Sequence, residues 1–293
     1  MARIADRLRE NVPGEYFVDS SCIDCDTCRQ IAPQVYGRFD AVGQTIVVRQ
    51  PETPVERRRA AMALVACPTA SIGTACKADV GPAAFAFPEA IARDVYYCGY
   101  ASESSFGASS YLLVRPGGNV LVDSPRAARP LLDRIAALGG VRLMILTHRD
   151  DVADHDAIHK AFGCERVMHE SDVDLGTACV ERKVSGLAPV KLDADLTIVP
   201  VPGHTRGSIA LLHADQHLFS GDHVWYEGLL GRLHASPQVC WYSWPEQTRS
   251  MERLSELSFE WVFPGHGRRW HAPSREAMRA EVRALADRMR RKG

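Results

Sequence analysis

Four cysteines in the first quarter of the chain have the spacing of a metal-cluster site. Cys22, Cys25 and Cys28 follow one another at C-x2-C-x2-C spacing, and Cys67 is followed at once by Pro68. Three thiolates on one tight loop can bind three corners of an iron–sulfur cubane, and a distant fourth can bind the last corner. A zinc site would more often pair two C-x2-C units. The spacing therefore predicts one iron–sulfur cluster.

Histidines and aspartates recur in four later segments, each of which follows an apolar run. The segments are LTHRDDVADH (His148, Asp150, Asp151, Asp154, His155), PGHTRGS (His204), SGDH (Asp222, His223) and FPGHG (His266). Polar residues at strand ends converge on one edge of a sheet. Imidazole and carboxylate ligands together suit Zn(II), Fe(II) or Mn(II), and a carboxylate can bridge two ions. The pattern predicts a metal centre in addition to the cluster.

Alternating strand and helix patterns supply the elements that must position these residues. Strands are predicted for VRLMILTH, LTIVPVPG, SIALLHA, HLFSGD and EWVFPGHG. Helices are predicted at 129–138, 153–162, 244–257 and 274–291, the last two with Ser243 and Ser274 as N-caps. Strands interleaved with helices indicate a mixed sheet layered with helices.

Length and composition indicate two domains and an ordinary globular chain. The chain has 293 residues, a formal net charge of −1 and nine cysteines. It lacks the basic face of a nucleic-acid-binding protein and any apolar run of the roughly 18–20 residues that span a bilayer. MARIADRLRE has no apolar core, so we expect no signal peptide. Four cysteines assigned to a cluster and an odd total favour a reducing cytoplasm.

The region 17–73 resembles the single-cluster bacterial ferredoxins. The resemblance is carried by CIDCDTCRQIAPQVY, in which Ile31-Ala32-Pro33 would open a short helix, and by ALVACPTASI. It implies a βαββαβ fold and one [4Fe–4S] cluster on Cys22, Cys25, Cys28 and Cys67, or a [3Fe–4S] cluster after loss of an iron. A second C-x2-C-x2-C unit is absent, so we expect no second cluster.

The region 95–271 resembles the metallo-β-lactamase superfamily. GNVLVDSP (Asp123), THRDDVADH, PGHTRGS, SGDHVW and FPGHG stand in the family's order. The resemblance implies an αβ/βα sandwich with one or two zinc or iron ions at one edge. His204 would bind the first metal, Asp222 would bridge, and Asp154, His155 and His266 would bind the second. Asp154 and Asp222 would be the catalytic residues.

The chain departs from this family in its His-x-His-x-Asp-His element. Aligned forward from His148, Asp150 replaces the second histidine, and Asp154-His155 come two residues late. Aligned backward from His155, Asp150 takes the first histidine position and Val152 the second. We prefer His148 and Asp150 as ligands with a two-residue bulge. Asp151 could be a ligand, a partner for a histidine N–H or a helix N-cap, and the cap is preferred.

These features predict an α+β chain with a ferredoxin-like domain (1–75), a linker (76–94) and a metallo-β-lactamase-like domain (95–293). The leading hypothesis is a hydrolase that directs a metal-activated water at a thioester, lactone or phosphoester. A carboxylate in place of a histidine favours iron or manganese, so a second hypothesis is a redox enzyme whose cluster feeds a diiron site. A third is a non-catalytic electron carrier or redox sensor. We expect a small-molecule substrate, an electron-donor or acceptor protein in the redox case, and no nucleic acid or membrane partner.

Overall fold

Six elements of the N-terminal region follow the predicted βαββαβ order. The computed structural model describes residues 2–76 and 78–292, so Lys77 of the predicted linker lies outside the described residues, as do the two terminal residues. The elements are β1 (Tyr16–Val18), α1 (Thr27–Ile31), β2 (Tyr36–Phe39), β3 (Gln44–Val47), α2 (Pro54–Ala66) and β4 (Ile72–Thr74). Strand β1 pairs antiparallel with β4, and β2 with β3.

Local sequence signals fix the two helices that present the cysteines. Thr53 and Glu56 form a reciprocal capping box in front of α2, which satisfies two backbone N–H groups at the helix start. The prediction that Ile31-Ala32-Pro33 opens a helix is wrong, because α1 ends at Ile31 and Ala32 is extended at φ −135°. A residue before proline is driven out of the α region, so Pro33 ends the helix that contains Cys28.

The remaining elements alternate between strands and helices. In chain order they are α3 (Gly81–Ala84), β5 (Glu89–Ala90), β6 (Val95–Tyr97), β7 (Tyr111–Leu113), β8 (Val120–Val122), α4 (Arg129–Ala137), β9 (Leu143–Ile145), α5 (His155–Phe162), β10 (Glu165–His169), β11 (Arg182–Val184), β12 (Val190–Lys191), β13 (Leu196–Pro200), β14 (Ile209–His213), β15 (His217–Gly221), β16 (Trp225–Glu227), β17 (Arg232–His234), α6 (Trp244–Leu254), β18 (Trp261–Pro264), β19 (Trp270–His271) and α7 (Arg275–Arg290). Ser243 and Ser274 cap α6 and α7 as predicted.

The chain divides into two compact units. The first contains the chain through Asn119, together with Pro125–Val141 and Ala153–Phe162. Besides the ferredoxin-like elements it holds the antiparallel strands β5, β6 and β7. The second contains Val120–Ser124, Arg142–Val152 and the chain from Gly163 onward. None of the helices in the described residues has the length and apolar character of a membrane span.

The second unit contains a set of parallel strands, a six-stranded sheet and the antiparallel hairpin of β16 and β17. Strands β8, β9, β10 and β11 run parallel in that order, and a six-stranded sheet has the order β12-β13-β14-β15-β18-β19. Side chains of that sheet pack with α6 and α7 in one apolar core that includes Leu218, Met251, Val262 and Leu285. The candidate metal ligands follow directly after β9, β13, β15 and β18, so buried strands fix where each polar loop starts.

Candidate functional site

The four predicted cluster ligands line one cavity of the first unit. Cys22, Cys25, Cys28 and Cys67 line this cavity together with threonine and aliphatic side chains. Cys28 and Cys67 are buried, Cys22 and Cys25 are half-buried, and all nine cysteines are free thiols. Burial raises the pKa of Cys25 and, more strongly, of Cys28. These thiols must therefore lose protons when they bind metal.

A buried arginine shapes the loop that carries Cys22 and Cys25 and leads into α1, which contains Cys28. Asp24 and Asp26 both have left-handed backbone conformations, at φ 59° and 65°. Arg29 Nη1 donates to Asp24 Oδ1 and Arg29 Nε to Asp26 Oδ1, both at 2.6 Å. Two charge-assisted hydrogen bonds hold the loop in a conformation that non-glycine residues rarely adopt. The four cysteines, the enclosed cavity and the preformed loop fit an iron–sulfur cluster.

Five predicted or candidate metal ligands converge in the second unit. The ligand atoms of His148, Asp150 and His204 lie within 4.8 Å of one another, and so do those of His148, Asp151 and Asp222. His148 Nε2 is 3.9 Å from the Oδ2 atoms of Asp150 and Asp151 and 3.8 Å from that of Asp222. His204 Nε2 is 3.5 Å from Asp150 Oδ2 and 3.8 Å from Asp222 Oδ2.

Buried polar atoms at this cluster have no hydrogen-bond partner in the part of the chain that the structure describes. They are His148 Nε2, His204 Nε2 and both carboxylate oxygens of Asp151. Leaving such atoms unpaired in an apolar interior costs about 1–3 kcal/mol each. A divalent cation satisfies two imidazole nitrogens and a carboxylate together, so the donor set fits a metal ion.

Hydrogen bonds on the far side of each imidazole leave Nε2 free to bind metal. His204 Nδ1 donates to the carbonyl of Val239 at 2.5 Å. His148 Nδ1 lies 3.0 Å from Thr147 Oγ1, which donates to Asp123 Oδ2 at 2.9 Å. A hydroxyl that gives its hydrogen to a carboxyl oxygen can accept Nδ1–H, and this fixes the tautomer with a lone pair on Nε2. Asp123 thus orients Thr147, and Thr147 orients the imidazole of His148.

Burial and neighbouring charges set the protonation of the site. Burial lowers the pKa of His148 to about 4, so its imidazole is neutral at neutral pH and available to a metal. Burial opposes ionisation of Asp222, but contact with His266 outweighs it and lowers the pKa of that carboxyl. Burial raises the pKa of Asp151 and that of Asp123 to about 8. A bound cation would favour both carboxylates in their ionised form.

His266 and Gly265 close the cluster from the loop after β18. His266 Nδ1 lies 2.7 Å from Asp222 Oδ2, and the backbone N–H of His266 donates to Asp222 Oδ1 at 3.0 Å. A Cβ at Gly265 would stand 2.6 Å from Asp151 Oδ2 and from Asp222 Oδ1. Only glycine lets the backbone pass this close to both carboxylates.

Asp154 and His155, predicted as ligands of the second metal, lie in the first unit. Asp154 is exposed, and its Oδ2 accepts the backbone N–H of Ala127 at 2.8 Å. His155 is the first residue of α5 and is buried. Their roles as ligands stay predictions.

The expectation that Asp151 caps a helix is wrong. Helix α5 begins at His155, three residues beyond the position that such a cap would require, and Asp151 is buried beside His148 and Asp222.

Sequence reasoning also missed Asp172. Its carboxylate accepts from the backbone of Arg149 and Gly207 and from Thr205 Oγ1, at 3.2, 2.7 and 2.5 Å. It thereby joins the loops of His148 and His204, although no motif marks it.

An open groove of about 680 Å³ lies beside the His204 loop. Its lining includes Arg206, Tyr242 and His169. The backbone N–H groups of Trp241 and Tyr242 both donate to the carbonyl of His204, and the Trp241 ring lies 6.1 Å from the His204 ring. Trp241 and Tyr242 are 61% and 49% exposed, so these two aromatic residues are not part of the hydrophobic core.

The two regions correspond to two known kinds of protein. Residues 18–74 match the family of the 4Fe-4S single cluster domain of Ferredoxin I. The later region has the metallo-β-lactamase fold. A metallo-β-lactamase from Hirschia baltica superposes with a TM-score of 0.51 at 18% identity, over 68% of this chain and 95% of that one. VMB-1 superposes with a TM-score of 0.50 at 17% identity, over 68% and 96%. The predicted combination of folds is confirmed.

Among curated proteins, this chain is similar to hydroxyacylglutathione hydrolases. The protein of that name from Anaeromyxobacter dehalogenans is 36% identical over 126 residues, which are 41% of this chain and 47% of the relative. The one from Xanthomonas axonopodis is 30% identical over 158 residues, 51% of this chain and 56% of the relative. The chain thus spans about half the length of the curated relatives it matches.

Proposed function

We propose that this protein is a metal-dependent hydrolase that cleaves thioesters and carries a separate ferredoxin-type cluster. The observation that carries the proposal is that His148 belongs to two groups of potential ligands, one with Asp150 and His204 and one with Asp151 and Asp222. Buried polar atoms of these groups have no hydrogen-bond partner among the described residues. The similarity to hydroxyacylglutathione hydrolases favours a thioester among the predicted thioester, lactone and phosphoester substrates.

His148, Asp150 and His204 would hold one metal ion, and Asp151, Asp222 and His266 would take part in holding a second. A bound zinc or iron ion supplies Lewis acidity and lowers the pKa of a bound water towards neutrality. Thr147 and Val239 hold the two imidazoles in the tautomer that binds, and His266 keeps the Asp222 carboxylate oriented and ionised. The resemblance assigns proton acceptance to Asp154, and that assignment is part of the proposal.

The side chains that line the groove beside His204 favour binding of an anionic substrate. Arg206 is exposed on its wall, where a guanidinium can bind a carboxylate of the thiol carrier. Trp241 and Tyr242 offer exposed rings on which the less polar part of a thioester can rest. The carboxylates of Glu170 and Glu246, which also line the groove, would disfavour a substrate with acidic groups at every end.

A comparison of three substrates tests the proposal. Zinc-loaded and iron-loaded protein should hydrolyse an S-acylglutathione with kcat/KM at least about 100-fold above that for a γ-lactone or a phosphodiester, measured by release of thiol, acid or phenol. Such a ratio corresponds to about 2.7 kcal/mol of transition-state discrimination. Chelator-treated protein is the control. Equal or greater turnover of the lactone or the phosphodiester would contradict the thioester assignment, and no turnover of any substrate by either loaded form would contradict hydrolysis.

A diiron redox centre is the second candidate, and the placement of Asp150 favours it. Its carboxylate stands with His148 and His204 where zinc hydrolases of the resembled family have a third imidazole, and oxygen donors shift preference towards iron and manganese. Protein purified without air would then contain about six iron and four sulfide per chain, whereas the hydrolase with zinc would contain about four of each.

Asp150→His should shift the metal preference of this centre towards zinc. The added imidazole replaces a hard oxygen donor beside two histidines, and we expect the zinc-to-iron ratio to rise about tenfold when both metals compete for chelated protein. Mass spectrometry of metals after desalting measures the ratio. Asp287→His on the surface of α7 is the matched control. An unchanged ratio would show that Asp150 is not a ligand of this centre.

A further inference from the structure

Gly107 lies against a predicted cluster ligand although it is well beyond the matched ferredoxin segment 18–74. A Cβ at this position would stand 2.5 Å from the Cβ of Cys25 and 2.8 Å from its Sγ. The carbonyl of Gly107 accepts a hydrogen bond from Thr27 Oγ1 at 3.2 Å. The segment 99–108 between β6 and β7, called the Gly107 loop below, therefore forms part of the wall around Cys25.

The hydroxyl of Thr27 lies between this loop and the sulfur of Cys25. Cys25 Sγ is 3.4 Å from Thr27 Oγ1. A hydroxyl has a single hydrogen to donate, and here Thr27 directs it to Gly107. When Cys25 is a thiolate its sulfur can only accept, so sulfur and carbonyl compete for the same hydrogen.

Among the described residues, the hydroxyls of the other two threonines beside cluster cysteines, Thr45 and Thr69, bond to partners from the first part of the chain. Thr69 Oγ1 is 3.7 Å from Cys67 Sγ and continues through Ser71 and Ser21 to Asp19, in contacts of 2.5, 2.8 and 2.5 Å. Thr45 accepts from Arg29. All of these partners lie near or within the ferredoxin-like region.

An arginine ties the start of the Gly107 loop to the residues around Cys67. Arg126 Nε donates to Ala101 O at 2.7 Å, and its Nη2 atom donates to Val65 O at 2.9 Å and to Cys67 O at 3.3 Å. Within the loop the N–H of Gly107 donates to Ser102 O at 2.8 Å. The loop is thus held at both ends near cluster ligands.

We propose that the Gly107 loop senses the oxidation state of the cluster through the hydroxyl of Thr27. A one-electron donor adds one electron to the cluster, and negative charge on the cysteine sulfurs increases. Thr27 then turns its hydrogen from Gly107 O to Cys25 Sγ. The O–H bond stays intact, one hydrogen bond is exchanged for another, and the docked loop loses a contact.

Thermodynamic linkage makes this effect reciprocal. If reduction weakens docking of the loop, docking of the loop must lower the reduction potential by the same free energy. Hydrogen bonds to cluster sulfur are among the factors that set such potentials. A segment outside the ferredoxin-like region thereby adjusts the potential of the cluster.

Hydrogen exchange of the loop in two oxidation states tests the proposal. Full-length protein with its cluster is compared oxidised and after reduction with dithionite. We expect the amides of 99–108 to exchange about fivefold faster after reduction, at the lower end of usual coupling strengths. Thr27→Val should abolish this difference and lower the midpoint potential measured by EPR-monitored titration, and Thr27→Ser should retain both properties.

Three outcomes would overturn the proposal. They are equal exchange of the loop in the two states of the unsubstituted protein, a redox-dependent difference that survives in Thr27→Val, or a cluster that accepts no electron. The first and third require no variant, so failure of Thr27→Val to load a cluster leaves the test intact.

A matched pair of glycine variants tests the contact with Cys25 by itself. Gly107→Ala should lower iron and sulfide content, because the added methyl group occupies the space of the Cys25 side chain. Gly163→Ala is the control, since Gly163 also has a positive φ, at 65°, with no atom near the added methyl group. Equal cluster content in the two variants would refute the role of Gly107 in the cluster site.

Discussion

His204→Ala is expected to remove metal from the second unit and to lower kcat/KM for thioester hydrolysis by at least about 1000-fold, while the iron–sulfur absorbance persists. A factor of 1000 corresponds to about 4 kcal/mol of transition-state stabilisation, which is within what a metal ion contributes as a Lewis acid. Metal and sulfide analysis of the same sample separates the two cofactors.

The size of this effect follows from how the His204 side chain is held. Its ring is 3% exposed, its Nδ1 is committed to Val239, and its Nε2 faces Asp150 and Asp222. Alanine removes one of the two imidazole ligands, whose position is fixed by its hydrogen bond to Val239, and leaves the carboxylates to hold the ion with one ligand fewer.

His271→Ala is the matched control for this prediction. His271 is an exposed histidine of β19 that stacks on Trp261 at 4.3 Å and belongs to neither ligand group, so its loss should leave metal content unchanged. Loss of cluster and metal together in His204→Ala would show that the two sites depend on each other. Full activity in a metal-depleted His204→Ala sample would refute metal-dependent hydrolysis.

The sequence predicted elements and motifs well where the signal is local. Ser274 caps α7 because a serine oxygen accepts from the N–H of Ala277, and apolar runs marked the strands that precede His148 and Asp222. The C-x2-C-x2-C spacing likewise predicted that three cysteines lie close together, since the segment from Cys22 to Cys28 is too short to place them apart.

The roles of residues that meet only through tertiary contacts could not be predicted from the local sequence. Asp151 follows Asp150 in a turn, and nothing local shows that one carboxylate is exposed while its neighbour is buried against Asp222. His223 stands beside Asp222 in the SGDH segment, and nothing local shows that it is completely buried. Gly107 and Cys25 are more than 80 residues apart, so their contact exists only once the chain has folded.

Cys25→Ser is expected to remove the visible absorbance of the cluster and to reduce iron from about four atoms per chain to below about one. A serine oxygen binds iron as an alkoxide far less readily than a thiolate does, and a cubane needs all four corners held. Metal binding contributes to the folded state of small metal-binding regions, so the first unit should also unfold at lower denaturant concentration.

Cys25 is the most informative of the four predicted ligands because residues from two separate segments, Thr27 and Gly107, pack closely against its side chain. Its sulfur lies beside Thr27, and the backbone of Gly107 passes where no side chain would fit. The serine variant keeps the shape of this contact, so lost cluster content would reflect lost ligation and not altered packing.

Cys164→Ser, a buried cysteine of the second unit, is the control for replacing a buried thiol by a hydroxyl. We expect this variant to retain the cluster. Its free energy of unfolding should fall by about 1–3 kcal/mol, because a hydroxyl is buried in place of a thiol. An unchanged visible spectrum in Cys25→Ser would exclude the four-cysteine site. If the spectrum is lost but thioester hydrolysis continues at an unchanged rate, the cluster is separable from the hydrolytic site, as the proposed function requires.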